Sequence, residues 1–128
     1  MRLFLDANVI FTAAYSAQGL SRGLFRLAAA EKCSLCTSAF AQEEAIRNIQ
    51  KKAPDKLADL TTLMQQVDIL MEPHPRWVAW AERLPLARKD APVLAAAMQG
   101  KVDIFVTGDR RDFGHLFGQV LEGVKILT

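Results

Sequence analysis

Short apolar runs alternate along this chain with longer stretches of helical periodicity, and that alternation limits its fold more than any other feature. "RLFL", "CSLCT", "VDILM", "VDIFV" and "VKILT" are too short for helices and rich in strand-forming residues. Between them lie segments such as Leu20, Leu24, Phe25, Leu27 and Ala28, spaced as one face of a helix. Neighbouring parallel strands need long crossovers, which helices supply. The pattern therefore predicts an α/β chain with a central, mostly parallel sheet covered on both faces: a three-layer α/β/α sandwich.

Local signals place the elements. Arg2 to Leu5 reads as a strand, followed by a loop that ends in the turn-forming "SAQGLS" and then by a helix. Ser38 or Thr37 can cap the helix "AFAQEEAIRNIQKK", which Ala53 and Pro54 close, and a further helix runs from about Asp55 to Gln66. "EPHPRWVAWAERLPLARK" reads as a loop around one short amphipathic helix. In "DAPVLAAAMQG", Pro92 suits a first helical turn and Gly100 a helix stop. A short helix near Arg111 to Phe117 precedes the last strand.

With 128 residues, 51% of them hydrophobic, residues 1–128 are expected to form a single domain with a sizeable core. No apolar run approaches the ~18–20 residues of a membrane span. "MRLFLDANVI" meets Asp6 too early for a secretory signal, so a soluble, cytoplasmic protein without a membrane partner is expected. Cys33 and Cys36 form a CxxC with no further zinc ligands nearby. In a strand, residues three apart face opposite sides, so the pair reads as two reduced structural thiols. A net charge of +2 is too small to announce nucleic acid by itself, and any such partner must be argued from local clusters.

The acids carry the functional signal. In open parallel sheets, ligands bind at the carboxyl ends of the strands. Asp6 ends the first predicted strand, and Asp109 and Asp112 follow "DIFVT". Asp90 starts a helix on the same face as Val93, Leu94, Ala97 and Met98, and suits either a cap before Pro92 or a ligand pointing toward the core. Glu43 and Glu44 flank the apolar face of the helix after Ser38, and helical geometry does not choose between them. Asp6 and Asp112 also suit a turn and a helix cap. Asp103, inside "VDIFV", stays outside the candidate site.

If Asp6, Glu44, Asp90 and Asp109 or Asp112 converge, their charges repel and raise each other's pKa. Hard divalent cations resolve that conflict, and an all-oxygen, carboxylate-rich set suits Mg²⁺ or Mn²⁺. Such ions orient water for in-line attack on a phosphodiester and stabilise the charge that develops. Arg22, Lys51, Lys52, Arg88, Lys89, Arg110 and Arg111 are basic residues to weigh beside these acids, and Arg110 and Arg111 are expected at the rim, where they could hold phosphates. Trp77 and Trp80 share a helical face, which suits packing more than base stacking. His74 and His115 have no partner pattern and read as structural.

"LDANVI" with Asp6 and Asn8, "TSAFAQEEA" with Ser38 and Glu44, "KDAPVLAAAM" with Asp90, and "DIFVTGDRRDF" with Thr107, Asp109 and Asp112 together resemble the PIN-domain nucleases, over nearly the whole chain. The resemblance implies an α/β/α sandwich and a Mg²⁺- or Mn²⁺-dependent ribonuclease acting on RNA. It implies metal ligands at Asp6, Glu44, Asp90 and Asp109, with Asp112 a further catalytic candidate. It selects Glu44 over Glu43 and implies that Asn8 and Thr107 orient the carboxylates. As many members are VapC-like toxins that self-associate, an antitoxin protein and a second copy of the chain are implied partners. A catalytically silent PIN-like RNA-binding or assembly module is the alternative. A haloacid-dehalogenase phosphatase would need a second Asp where Asn8 stands, and "VDILME" and "VTGDRR" lack the phospho-accepting Asp and the Lys of a receiver domain.

Overall fold

In the computed structural model, residues 1–127 are described, Asp112 by its backbone alone. Six strands form one sheet in the order β3-β2-β1-β4-β6-β5. They are β1 (Arg2–Leu5), β2 (Ser34–Thr37), β3 (Val67–Ile69), β4 (Ile104–Val106), β5 (Val120–Leu121) and β6 (Val124–Leu127). Pairings β1–β2, β1–β4, β2–β3 and β4–β6 are parallel, and β5 joins β6 antiparallel. The mostly parallel sheet agrees with the sequence pattern. The β5 hairpin was not expected, although "LEGV" encodes it. Glu122 and Gly123 both take positive φ, at 49° and 82°, which is what a tight two-residue hairpin turn demands.

The helices are α1 (Ala7–Tyr15), α2 (Leu20–Ala29), α3 (Ala39–Lys52), α4 (Leu57–Met64), α5 (Pro75–Glu82), α6 (Ala91–Gln99) and the single turn α7 (Arg110–Phe113). The chain moves from β1 to β2 to β3 in one direction across the sheet, then crosses back beyond β1 to β4. Because crossovers between parallel strands are right-handed, α1–α4 cover one face and α5–α6 the other. Packing follows that division, with α1 against α2, α3 and α4, and α5 against α6. The reversal happens between β1 and β4, so the crevice at their carboxyl ends is the natural ligand position of the fold.

One expectation fails. The segment after Asp6 is a helix, α1, rather than a loop. Val9 and Ile10 are β-branched and weak helix formers, but α1 buries Ala7, Val9, Ile10, Ala13 and Ala14 under the sheet, and that packing overrides propensity.

The core is continuous around Phe4, Leu5, Phe105, Ile10, Ile49, Leu94 and Ile126. Phe4 stacks on Phe105 with ring centroids 5.4 Å apart, locking β1 to β4 beside the crevice. Trp77 and Trp80 meet edge to face at 5.8 Å and pack on Ala81, Ala91 and Ala95 between α5 and α6, the packing role expected of them. His74 caps α5, its Nδ1 accepting from the Arg76 backbone N–H. Both cysteines are free; Cys36 is buried, which pushes its thiol pKa up to about 11. No described helix is long and apolar enough to cross a membrane.

Candidate active site

Asp6 leaves β1 where the strand's hydrogen bonding hands over to α1. Its backbone N–H donates to the Val106 carbonyl of β4 at 3.0 Å, fixing it at the strand end. Its side chain is 5% exposed and accepts two short hydrogen bonds, from the Ala7 N–H and from the Thr107 hydroxyl, both at 2.8 Å. The first makes Asp6 the N-cap of α1, where the sequence suggested a turn. The second spans 101 residues of sequence and ties the carboxylate to the end of β4.

Thr107 is fully buried and serves several neighbours at once. Its hydroxyl donates to Asp6 and accepts from the Asp109 N–H at 3.0 Å, while the Asn8 amide lies 3.4 Å away. The Asn8 amide also reaches Asp6 at 3.4 Å, and its carbonyl accepts from the Gly108 N–H at 2.8 Å. Thus Asn8 and Thr107 hold Asp6 and the 107–109 segment in one hydrogen-bonded frame.

Asp6, Asn8, Glu44, Asp90 and Asp109 line one pocket of about 170 Å³, together with Ala7, Asn48 and Lys89. Glu44 arrives from α3, whose start is set by the Ser38 hydroxyl accepting from the Ala41 N–H at 3.1 Å. Thr37 is not the cap; its hydroxyl donates to the Leu5 carbonyl at 2.7 Å. Glu43 points away and is exposed, which separates the two neighbours that helical geometry left equivalent. Asp90 ends a 3-10 turn and precedes α6, but its side chain makes no capping bond to that helix. The capping alternative therefore gives way to a buried carboxylate, 9% exposed, in the pocket wall.

Charge accumulates there. The Asp6 carboxyl is held above its ordinary value of 3.8, chiefly by burial and further by the charges of Glu44 and Asp109, against the lowering effect of its bonds to Thr107 and Ala7. The lining offers carboxylate and amide oxygens, with neither histidine nor cysteine. Among the described residues no three acid, histidine or cysteine side chains close into a metal cage. The donor chemistry nonetheless fits Mg²⁺ or Mn²⁺, since a small hard cation retains several waters and takes only one or two carboxylates directly.

Other candidates fall elsewhere. The Asp112 side chain lies outside the described residues. Arg110 lines a separate apolar groove, and exposed Arg111 lines neither cavity. Asp103 sits at the opposite, amino-terminal edge of the sheet, where its carboxylate accepts from the Arg2 N–H at 2.7 Å. Asn48 in the pocket wall was not anticipated; its position one turn after Glu44 on α3 was the available signal.

A family model described as PIN domain matches residues 2–111. The chain belongs to the PIN-domain family. Its fold is also that of a solved chain from the structure described as VapBC2 from Rickettsia felis bound to a DNA fragment from their promoter. The TM-score is 0.72 at 13% identity, over 98% of this chain and 97% of that one. None of the curated proteins compared matches. The PIN match includes the segments that deliver Asp6, Glu44, Asp90 and Asp109, and the fold expected from the sequence is the one observed.

Proposed function

We propose that this PIN-domain chain is a Mg²⁺- or Mn²⁺-dependent endoribonuclease that hydrolyses RNA phosphodiester bonds, and that it serves as the toxin of a toxin–antitoxin pair. The observation that carries the reading is the meeting of carboxylates from four separate elements, Asp6, Glu44, Asp90 and Asp109, around one small pocket at the β1/β4 switch point. No structural need of the core explains that gathering, because like charges brought out of water cost stability.

Asp6, Glu44, Asp90 and Asp109 would hold the cation, which supplies an activated water and charge stabilisation at the scissile phosphate. The protein's own part is orientation. Thr107 and Asn8 fix the Asp6 carboxylate, and burial of Asp6 and Asp90 keeps water from competing for them. Asp112 is a further candidate acid one turn beyond Asp109. Arg110 and Arg111, exposed on α7 beside Asp109, are offered as RNA-phosphate contacts outside the pocket. The fold shared with a chain of the Rickettsia felis VapBC2 complex supports an antitoxin protein as partner.

The test is cleavage of end-labelled single-stranded RNA with Mg²⁺, with Mn²⁺, and after chelation. Metal-restored cleavage that Asp6→Asn and Asp90→Asn both remove is the expected result. Undiminished cleavage by either variant, or none with any divalent cation, would overturn the enzymatic reading and leave the silent RNA-binding module.

A further inference from the structure

The pocket is not purely acidic, and two of its non-acidic polar residues, Asn48 and Lys89, have no assigned purpose. Resting on the nuclease reading above, we infer that Lys89 and Asn48 form the substrate-facing wall of the acid pocket: Lys89 binds a backbone phosphate of the RNA, and the Asn48 amide donates to an adjoining sugar–phosphate oxygen.

The structure separates Lys89 from the other basic residues near the acids. Arg22 is committed to the fold, its Nε donating to the Ala13 carbonyl at 2.7 Å at the end of α1. Arg88 is paired with Glu82 at 3.7 Å, and the Lys52 ammonium lies over the Phe11 ring, 5.6 Å from its centroid. Arg110 lines the apolar groove, and Arg47, Lys51 and Arg111 line neither cavity. Lys89 is exposed, lines the acid pocket, and among the described residues makes no ion pair, although it adjoins Asp90 in sequence.

A similar contrast divides the two asparagines of the pocket. Asn8 is spent on Asp6, Thr107 and Gly108. Asn48, half-buried one helical turn beyond Glu44, lines the pocket and makes no side-chain hydrogen bond among the described residues, so its amide is uncommitted. A polyanion entering a pocket lined by four carboxylates is repelled wherever a cation does not intervene. A lysine at the mouth supplies a mobile positive charge at the place where the strand must enter.

The experiment has two arms on the intact protein. In the first, steady-state cleavage of a single-stranded RNA with Mn²⁺ compares native protein with Lys89→Ala, Lys89→Arg and Asn48→Ala. Lys89→Ala is expected to raise KM about fivefold to tenfold, one lost phosphate contact, with kcat changed less than about twofold. Lys89→Arg restores KM, and Asn48→Ala raises it by about threefold. In the second arm, fluorescence anisotropy with the same labelled RNA in Ca²⁺ measures affinity against salt. Lys89→Ala is expected to flatten the log–log salt slope by about 0.7, the loss of one phosphate contact on a single strand.

An unchanged KM and salt slope in Lys89→Ala, with native protein cleaving normally, would overturn this inference and spare the nuclease reading. Absence of native cleavage would sink the nuclease reading, and the binding arm would still decide Lys89, since an unchanged slope rules out its phosphate contact. Circular-dichroism melting of each variant guards against misfolding, which exposed Lys89 gives no reason to expect.

Discussion

Two cavities lie on either side of the same short piece of backbone. Asn8 and Asp109 line the acid pocket, while their chain neighbours Val9, Gly108 and Arg110 line an apolar groove with Leu3, Leu24, Ile104, Val106 and Leu127. The groove is the larger, about 410 Å³ against about 170 Å³, yet it holds no carboxylate. Its size reflects sheet surface from β1, β4 and β6 that α2 only partly covers; Leu20, at the start of α2, is left 95% exposed. Neighbouring side chains at the ends of β1 and β4 depart to opposite sides, so one pair of strand ends serves both cavities. Chemical capacity follows from which groups converge, and volume alone is no guide to it.

The sharpest way to break this contrast is Asp6→Asn. On the proposed function it should cut metal-dependent RNA cleavage at least about a hundredfold, because a carboxylate proposed to hold the cation is lost while the fold is kept. Asn keeps the cap of α1 and removes the repelled charge, which offsets the loss of an acceptor for the Thr107 hydroxyl, so a chelated sample should melt close to native protein. A large drop in melting temperature would mean that Asp6 is there for the fold instead.

Thr107→Val comes next. It removes the donor to Asp6 and the acceptor for the Asp109 N–H. Activity should fall about 10- to 100-fold, and stability by about 1–3 kcal/mol, read by urea unfolding. Equal activity would show that the frame holds without the hydroxyl.

A pH series sharpens the electrostatic side. The folded pKa of Asp6 is raised above 3.8, so the folded state binds this proton more tightly than the unfolded chain does. The destabilisation from its charge is complete above the raised value and disappears as pH falls toward 3.8. In chelator, any melting advantage of Asp6→Asn over native protein should therefore be greatest near neutrality and shrink on acidification. An advantage that grows on acidification would contradict the burial and charge repulsion assigned to Asp6.

The smallest effect is expected on the other cavity. Leu20→Ser should leave RNA cleavage unaltered and stability within about 0.5 kcal/mol, because the side chain is almost wholly in solvent. A loss of cleavage would mean that the groove and the acid pocket act as one site.

Much of the architecture is local in origin. Ser38 and the run to Lys52 specify α3 to the residue, since a cap, an apolar face and a terminating Ala-Pro all agree. Pro92 and Gly100 bracket α6 in the same way. Where local signals conflicted with burial, the reading failed: Val9 and Ile10 argue against a helix, and α1 forms because the sheet needs covering. Thr107 was named only through the family resemblance, and local signals alone would not have found it. Residue type alone makes it one threonine among several, and its partnership with Asp6 exists only because β1 and β4 are neighbours.

Apart from α1 and β5, the alternation of strands and helices, the sheet's mostly parallel character and the acids at strand and helix ends were determined by the sequence itself, because periodicity, caps and strand length act over a few residues. Tertiary structure put Glu44 rather than Glu43 on the pocket, denied Asp90 its cap, and put Arg110 on the groove and Lys89 on the pocket. Each of those choices depends on what lies across the sheet, and a side chain's neighbours from distant elements are fixed only when the layers pack.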